Sequence, residues 1–266
     1  MVNELNPETL IVEFTHQVAT VTLNRPDVRN AFNETMIAEL TAVFRELGER
    51  DDVRAVVLGA NGKAFCAGAD LNWMKKMAGY SDDENRADAL RLADMLWSIY
   101  RCPKPVIARV NGDAYAGGMG LISACDIVIA VDTAHFCLSE ARLGLIPATI
   151  APYVIRALGE RASRRYFATA EQFDCATALR LGFVSEVVGA DKLDDTVQQL
   201  AAILCSNGPR AVRASKQLVQ DIAERELDRA LIEETAVRIA QVRAGAEGRE
   251  GVASFLEKRA PVWRTQ

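Results

Sequence analysis

Two glycine-containing loops carry residue types that can bind a ligand through the backbone. Residues 62–71 read GKAFCAGADL, and residues 111–120 read NGDAYAGGMG. Small side chains let a ligand approach the main chain, and the second loop leads into a predicted helix whose first N–H groups have no partner within the helix. Two such loops can aim two amides at one oxygen, as a thioester carbonyl requires when it becomes an enolate. Each loop taken alone is equally compatible with a tight turn between a strand and a helix.

A single carboxylate, Glu140, is the leading candidate for acid–base chemistry. It follows the strand-like segment His135–Leu138 and is flanked by apolar residues. Because an apolar setting disfavours the charged form, we expect a raised pKa that suits a general acid or base. A surface carboxylate or a helix cap is the alternative interpretation. Four neighbouring polar side chains can order water or substrate: Asp113, Tyr115, His135 and Ser139.

Alternating strands and helices must position these groups. Asn33 is a predicted N-cap for an amphipathic helix, Ser81–Glu84 form a capping-box pattern ahead of a helix that runs to Tyr100, and a short helix covers about 117–124. Repeated β–α units imply right-handed crossovers and a parallel sheet, with the site at the carboxyl ends of its strands. The predicted strands are 10–14, 18–23, 55–58, 106–110 and 127–131, and the apolar face of the first helix is Met36, Ile37, Leu40, Val43, Phe44 and Leu47.

The C-terminal part of the chain is dominated by helical patterns. No internal repeat or low-complexity linker separates it from the strands. We therefore predict an α/β core over residues 1–200 and a helical region over residues 201–266. The predicted helices are 160–170, 175–181, 193–205, 209–222 and 226–243.

Composition excludes several classes of protein. The chain has 266 residues, of which 50% are hydrophobic, so one main domain with a large core is expected. The net charge of −5 does not indicate a basic surface of the kind that binds nucleic acid. An anionic ligand must therefore be held by a few placed cations and helix N-termini.

Cysteine usage and hydropathy indicate a cytoplasmic protein. The six cysteines include no CxxC pair, the first ten residues lack a basic and apolar leader, and the longest apolar runs are too short to span a bilayer. With only two histidines, a zinc site would need an unusual ligand set, so no metal is predicted.

Taken together and in their order along the chain, the motifs resemble the crotonase (enoyl-CoA hydratase/isomerase) family. They extend over nearly the whole sequence, which makes the resemblance far more specific than one glycine motif. The matching segments are Leu23–Pro26, Arg29–Ala31, Phe65–Leu71, Cys125–Asp126, Ser139–Pro147 and Phe255–Arg259.

The resemblance implies a fold, an assembly and an oxyanion hole. The fold is a crotonase-like α/β spiral of ββα units with a C-terminal helical trimerisation region, and the assembly is a homotrimer or a dimer of trimers. The N–H groups of Ala69 and Gly117 form the oxyanion hole, and Glu140 matches the position of one catalytic glutamate. Hydratases of the family usually carry a second glutamate where this chain has Gly120.

The same resemblance implies that CoA is bound as part of an acyl-CoA substrate, with no separate cofactor. Val28, Arg29 and Ala31 border the CoA chain, and Ala67, Asp70 and Leu71 line the adenine site. Lys258, near Phe255, pairs with a CoA phosphate, often across a subunit boundary. Arg29 and Lys258 are alternatively solvated surface cations.

Three functions fit these residues. The first is an enoyl-CoA hydratase acting on a branched or carboxylated, glutaconyl-type thioester, because residues 120–126 and 137–140 look like bacterial hydratases of leucine and acyclic-terpene catabolism. The second is a Δ3,Δ2-enoyl-CoA isomerase, which needs only one carboxylate, and the third is a catalytically silent acyl-CoA-binding protein. The family pattern of glycines after Pro147 is replaced by Ala148–Pro152, which implies an altered acyl pocket.

Overall fold

The computed structural model of the protein describes residues 7–264, which form two β-sheets flanked by helices. The six-stranded sheet has the order β1-β2-β3-β5-β7-β10 and the four-stranded sheet the order β4-β6-β8-β9. Neighbouring strands are parallel except for the pairs β1–β2 and β8–β9. The strands are β1 Leu10–Thr15, β2 Val18–Leu23, β3 Ala55–Ala60, β4 Ala64–Cys66, β5 Val106–Val110, β6 Asp113–Tyr115, β7 Ile127–Val131, β8 His135–Cys137, β9 Gln172–Asp174 and β10 Glu186–Val188.

The helices follow the capping signals in the sequence. Asn33 caps α1 by accepting a hydrogen bond from the N–H of Met36, and Ser81 and Glu84 form the predicted capping box of α3. The helices are α1 Glu34–Glu49, α2 Leu71–Met77, α3 Asp82–Tyr100, α4 Gly117–Ala124, α5 Ala151–Leu158, α6 Glu160–Thr169, α7 Cys175–Arg180, α8 Leu193–Ser206, α9 Pro209–Ile222, α10 Arg229–Ala244 and α11 Ala246–Leu256.

Three successive ββα units build the spiral. Each gives its first strand to the six-stranded sheet and its second strand to the four-stranded sheet: β3 and β4 precede α2 and α3, β5 and β6 precede α4, and β7 and β8 precede α5. The predicted α/β spiral is therefore confirmed. Of the second sheet, the sequence predicted only β8, as the strand-like segment His135–Leu138, whereas β4 and β6 lie within the two segments interpreted as loops.

Two corrections concern the C-terminal helices. The helix predicted over 226–243 begins at Arg229, because the Asp228 side chain accepts a hydrogen bond from the N–H of Leu231 and caps it there. The helix α11 was not predicted, because its small residues and two glycines hide the helical period.

The hydrophobic core lies between the sheets and the helices that cover them. The six predicted apolar positions of α1 are all buried. Residue 200, the predicted end of the core, lies inside α8, which packs on β3, β5 and β7. No helix within residues 7–264 has the length and apolar character needed to span a bilayer.

Candidate active site

The predicted catalytic residues meet at one edge of the four-stranded sheet. The strands β4, β6 and β8 are parallel neighbours, so their carboxyl ends lie side by side. Ala69 lies three residues after β4, Gly117 two residues after β6, and Glu140 three residues after β8. The carboxyl edge of a parallel sheet is where loops and helix N-termini converge on ligands, and this edge has both.

The Ala69 amide is held in place by a short parallel bridge. The N–H of Phe32 donates to Gly68 O at 2.8 Å, and the N–H of Asp70 donates to Phe32 O at 2.9 Å. In a parallel ladder, the residue between these two bonds directs its own N–H to the opposite side. The Ala69 N–H accordingly donates to no acceptor within residues 7–264 and is available to a ligand.

The Gly117 amide is aimed by a strained residue. Ala116 adopts φ 48° and ψ −121°, a conformation that L-residues rarely adopt, and its N–H donates to Cys137 O at 2.8 Å. Because ψ of Ala116 sets the plane of the next peptide, this conformation fixes the direction of the Gly117 N–H, which donates to no acceptor within residues 7–264. Gly117 is also the first residue of α4, where an amide has no partner within the helix and carries the positive end of the helix dipole.

The two amides are brought together by Gly68, which has φ +92°. A Cβ at this position would lie 3.1 Å from Ala116 Cβ, 3.2 Å from Tyr115 O and 3.8 Å from Gly117 N. The backbone before Ala69 therefore touches the backbone before Gly117. Only glycine fits both the dihedral angle and the contact, which explains the small residues in both loops.

Glu140 is an acid–base candidate with an unpaired, buried oxygen. It opens a 3-10 helix over Glu140–Leu143, and its Oε2 has no hydrogen-bond partner within residues 7–264. Burial raises the pKa of the Glu140 carboxyl above its ordinary value of 4.5. The alternative interpretation as a helix cap does not fit, since the N-cap of this 3-10 helix is Ser139 and the backbone N–H that interacts with the Glu140 carboxylate is its own.

The second carboxylate position carries no side chain and has no room for one. Gly120 is buried on α4, and a Cβ there would collide with Ile150 Cγ2 and lie 2.9 Å from Ile150 Cβ. The third neighbour is Leu96 of α3, with its Cδ2 3.6 Å away. Of the two positions where the resemblance expects a catalytic glutamate, Glu140 is therefore the one that carries a carboxylate.

The predicted CoA-chain segment is tied to the Ala69 loop. The N–H of Ala67 donates to Arg29 O at 3.0 Å, and Arg29 itself has φ 53°. The side chains of Val28 and Arg29 are exposed beside this contact, whereas Ala31 is buried. This arrangement leaves an exposed apolar group and a cation next to the unpaired amide.

Asp70 and Leu71, which are predicted to line an adenine site, differ in burial: Asp70 is buried and Leu71 is exposed. The Asp70 carboxylate is buried; it accepts hydrogen bonds from the N–H groups of Asn72 and Trp73 and pairs with Arg25 at 2.9 Å. Burial opposes ionisation, but these hydrogen bonds outweigh it and lower the pKa of Asp70. The Asp70 side chain thereby anchors α2, while Leu71 is exposed.

Lys258 and Phe255 lie at the end of α11 and are exposed. Lys258 has φ 54°, and its N–H donates to Phe255 O at 3.2 Å. No hydrogen bond or ion pair within residues 7–264 joins either side chain to Ala69, Gly117 or Glu140. Their assignment to CoA across a subunit boundary stays a prediction.

The polar neighbours of the site form one network. Burial raises the pKa of Tyr115 to about 12, and its hydroxyl donates to Asp113 Oδ2 at 2.9 Å and accepts from Gln172 at 3.0 Å. Asp113 also accepts from the N–H of His135 at 2.9 Å. These hydrogen bonds join residues of β6, β8 and β9.

Sequence reasoning missed four residues that shape this site. Arg25 and the fully buried Asn30 hold the segment before α1 against the Ala69 loop, since Asn30 Nδ2 donates to Asn61 O and Ala64 O. Ala116 supplies the strained turn, and Ile150 fills the space beside Gly120. Arg25 and Asn30 lie within the quoted motifs, but a positive φ at alanine leaves no signal in a sequence.

A cavity of about 1160 Å³ lies elsewhere, between α4 and α5 of the core and α9. Neither Ala69, Gly117 nor Glu140 lines it. Residues 7–264 also contain no cluster of three or more His, Cys, Asp or Glu side chains that could hold a metal ion.

Comparisons with known proteins show which family and fold the chain resembles. A family model described as enoyl-CoA hydratase/isomerase matches residues 13–266. The short-chain-enoyl-CoA hydratase of Clostridium acetobutylicum is 34% identical over 96% of this chain and 97% of its own. Structures of enoyl-CoA hydratases from Shewanella pealeana and Mycobacterium smegmatis superpose with TM-scores of 0.94 and 0.90 at 42% and 35% identity. The first covers 97% of both chains, and the second 96% of this chain and 99% of its own.

Proposed function

The protein belongs to the enoyl-CoA hydratase/isomerase family, and from that premise we propose that it adds water across the α,β double bond of an acyl-CoA thioester. The observation that carries the proposal is the pair of unpaired amides, Ala69 and Gly117, at the same sheet edge as Glu140, whose Oε2 is buried and unpaired. Two N–H donors aimed at one oxygen stabilise an enolate more than a neutral carbonyl, so they accelerate its formation.

Glu140 makes both proton transfers in the proposed reaction. Its carboxylate removes a proton from water as the water oxygen bonds to Cβ, and the double-bond electrons move through Cα to the thioester oxygen. Ala69 N–H and Gly117 N–H hold that oxygen. The protonated Glu140 then returns the proton to Cα and the carbonyl re-forms, so one H and one OH are added.

We propose a branched or carboxylated, glutaconyl-type acyl group as the substrate. This proposal is supported by the resemblance of residues 120–126 and 137–140 to bacterial hydratases of leucine and acyclic-terpene catabolism. It is also supported by the absence of a side chain at Gly120. A carboxylate at position 120 would repel an anionic acyl group, whereas Gly120 and Ile150 present no charge. Leucine or acyclic-terpene catabolism is the corresponding metabolic setting.

Isomerisation of a Δ3-enoyl-CoA is the second candidate. One observation favours it: Glu140 is the carboxylate of the site, and moving a proton from Cα to Cγ through one enolate needs no second group. The same two amides would hold the enolate oxygen. The two candidates therefore differ in the position of the substrate's double bond, in the carbon that receives the proton and in whether water is consumed.

The test is to offer the purified protein 2-enoyl-CoA, 3-enoyl-CoA and glutaconyl-type CoA esters and to follow thioester absorbance and product mass. We expect a product heavier by one water, with the highest kcat/KM on the carboxylated ester. A product of unchanged mass with a moved double bond would exclude hydration as the main activity. Binding of all esters without turnover would support the silent-binder alternative.

The pH dependence of kcat/KM tests the role of Glu140. As the base, Glu140 must be ionised, and burial raises its pKa, so activity is expected to rise with pH through a midpoint above 4.5. The measurement is kcat/KM across the acid range, with thermal stability recorded at each pH. An acid limb centred at or below 4.5, or activity that increases as the pH falls, would contradict this role.

We also propose that the chain assembles as a homotrimer or a dimer of trimers. The support is the apolar surface of α11, where Val252, Phe255 and Leu256 are 58%, 82% and 73% exposed. Contiguous exposed apolar side chains of this kind are typical of subunit contacts. Light scattering of the purified protein measures the assembly directly.

A further inference from the structure

Ile150 occupies the space beside Gly120. It has no role in the binding or catalytic steps proposed above. Gly120 lies one helical turn after Gly117, the candidate oxyanion donor, on the buried side of α4. A Cβ at position 120 would collide with Ile150 Cγ2 and lie 2.9 Å from Ile150 Cβ. Any side chain at this position therefore requires Ile150 to move.

Ile150 is fixed by its surroundings. Its side chain is 3% exposed, and its carbonyl accepts hydrogen bonds from the N–H groups of Tyr153 and Val154, each at 3.0 Å, in the first turn of α5. A β-branched side chain has few rotamers, so it cannot swing aside in a packed core. The third side of the space is closed by Leu96 Cδ2, 3.6 Å from the same point.

Glu140 and Ile150 belong to one connection between β8 and α5. Glu140 lies near the beginning of this connection, and Ile150 is its last residue, immediately before α5. The connection thus carries the Glu140 carboxylate near one end. At its other end it carries the Ile150 side chain, which leaves no room for a glutamate at position 120 of α4. Gly120 alone would leave a vacant space that a larger side chain could fill.

We infer that Ile150 is a specificity-determining residue, because its side chain confines the site to one carboxylate. The inference rests on the proposed function for its catalytic meaning. It implies that the substrates are thioesters whose proton transfers Glu140 can make alone. It also implies that Gly120 and Ile150 act as a pair, so that changing one without the other gives a damaged site.

A double-mutant cycle on thermal stability tests the contact without any substrate. Gly120→Ala in the natural background is expected to lower the melting temperature by about 5 °C, because overpacking strains the core. The same change in an Ile150→Ala background should cost little, since the added methyl group enters the space that was vacated. Ile37→Ala, at another 3% exposed isoleucine, is the matched control and should leave the cost of Gly120→Ala unchanged.

The catalytic arm uses 2-butenoyl-CoA, which carries no acyl carboxylate. Gly120→Glu with Ile150→Ala is expected to hydrate it at least about tenfold faster than Ile150→Ala alone, because a second acid–base group is restored. Gly120→Glu alone should give no such gain. Gly79→Glu, at an exposed glycine whose nearest neighbour would be 3.5 Å from the new Cβ, controls for added charge.

Two results would overturn the inference: an equal cost of Gly120→Ala in both backgrounds, or no gain from the paired substitution. The stability cycle involves no turnover, so its result stands even if the natural protein hydrates no thioester, a result that would refute only the proposed function.

Discussion

Glu140→Gln is expected to lower kcat by about a thousandfold or more while the affinity for a saturated acyl-CoA stays nearly unchanged. General acid–base catalysis by one group contributes roughly 10²–10⁴-fold, and here one carboxylate makes both proton transfers. Glutamine keeps the volume of the side chain but neither accepts nor returns a proton. Steady-state kinetics and calorimetric titration with butyryl-CoA measure the two quantities separately.

The control for this variant is Glu160→Gln on α6, whose side chain is 73% exposed and pairs with Arg164. It should retain the turnover of the natural protein. Near-normal kcat in Glu140→Gln would remove Glu140 from the mechanism. A parallel loss of butyryl-CoA affinity would instead show that the residue shapes the binding site.

The same variant has a signature in stability. Burial raises the folded-state pKa of Glu140 above 4.5, so the protonated form is favoured in the folded protein. The contribution of this group to stability is therefore largest below the unfolded pKa and is lost as pH rises through the folded pKa. Glu140→Gln should be more stable than the natural protein above that range, and the difference should shrink in acid.

Local signals in the sequence located the elements that carry the site. Asn33 and the Ser81–Glu84 box mark helix starts correctly, because capping depends on residues within one turn. The strands β3, β5 and β7 are apolar runs with both faces buried, which is the ordinary signal of a central parallel strand. Of the second sheet only β8 was predicted, as a strand-like segment, because strands of three residues are too short to show alternation and depend on pairing with one another.

The sequence predicted which residues form the candidate site, but it did not predict the orientation of their groups. The motifs placed Ala69 and Gly117 correctly at strand ends, whereas the turn that aims Gly117 depends on φ 48° at Ala116. An alanine in the sequence does not indicate a positive φ. At Ala116 the angle accompanies tertiary contacts, namely the hydrogen bond to Cys137 O and the packing against Gly68. The exclusion of a side chain from position 120 likewise depends on Ile150, thirty residues away along the chain.

Gly117→Ala is expected to lower kcat by about 10²–10³-fold, the usual cost of losing one oxyanion donor. The new Cβ would lie 2.5 Å from Phe32 Cζ and 2.6 Å from Cε2. Because the Phe32 ring is 1% exposed and in edge contact with Trp73, it cannot withdraw, so the start of α4 must move. The N–H of residue 117 is then no longer aligned for a hydrogen bond to the thioester oxygen, although alanine keeps the N–H group.

The loss should fall on kcat more than on KM, because the amide binds the enolate oxygen more strongly than the neutral carbonyl. Gly79→Ala, at an open position, controls for the substitution itself, and melting temperatures show that each variant is folded. Adding Phe32→Leu to Gly117→Ala makes room for the methyl group and should restore part of kcat. Full activity of Gly117→Ala would show that this N–H is not the donor, and equal loss without recovery in the double variant would show that the methyl group obstructs the thioester directly.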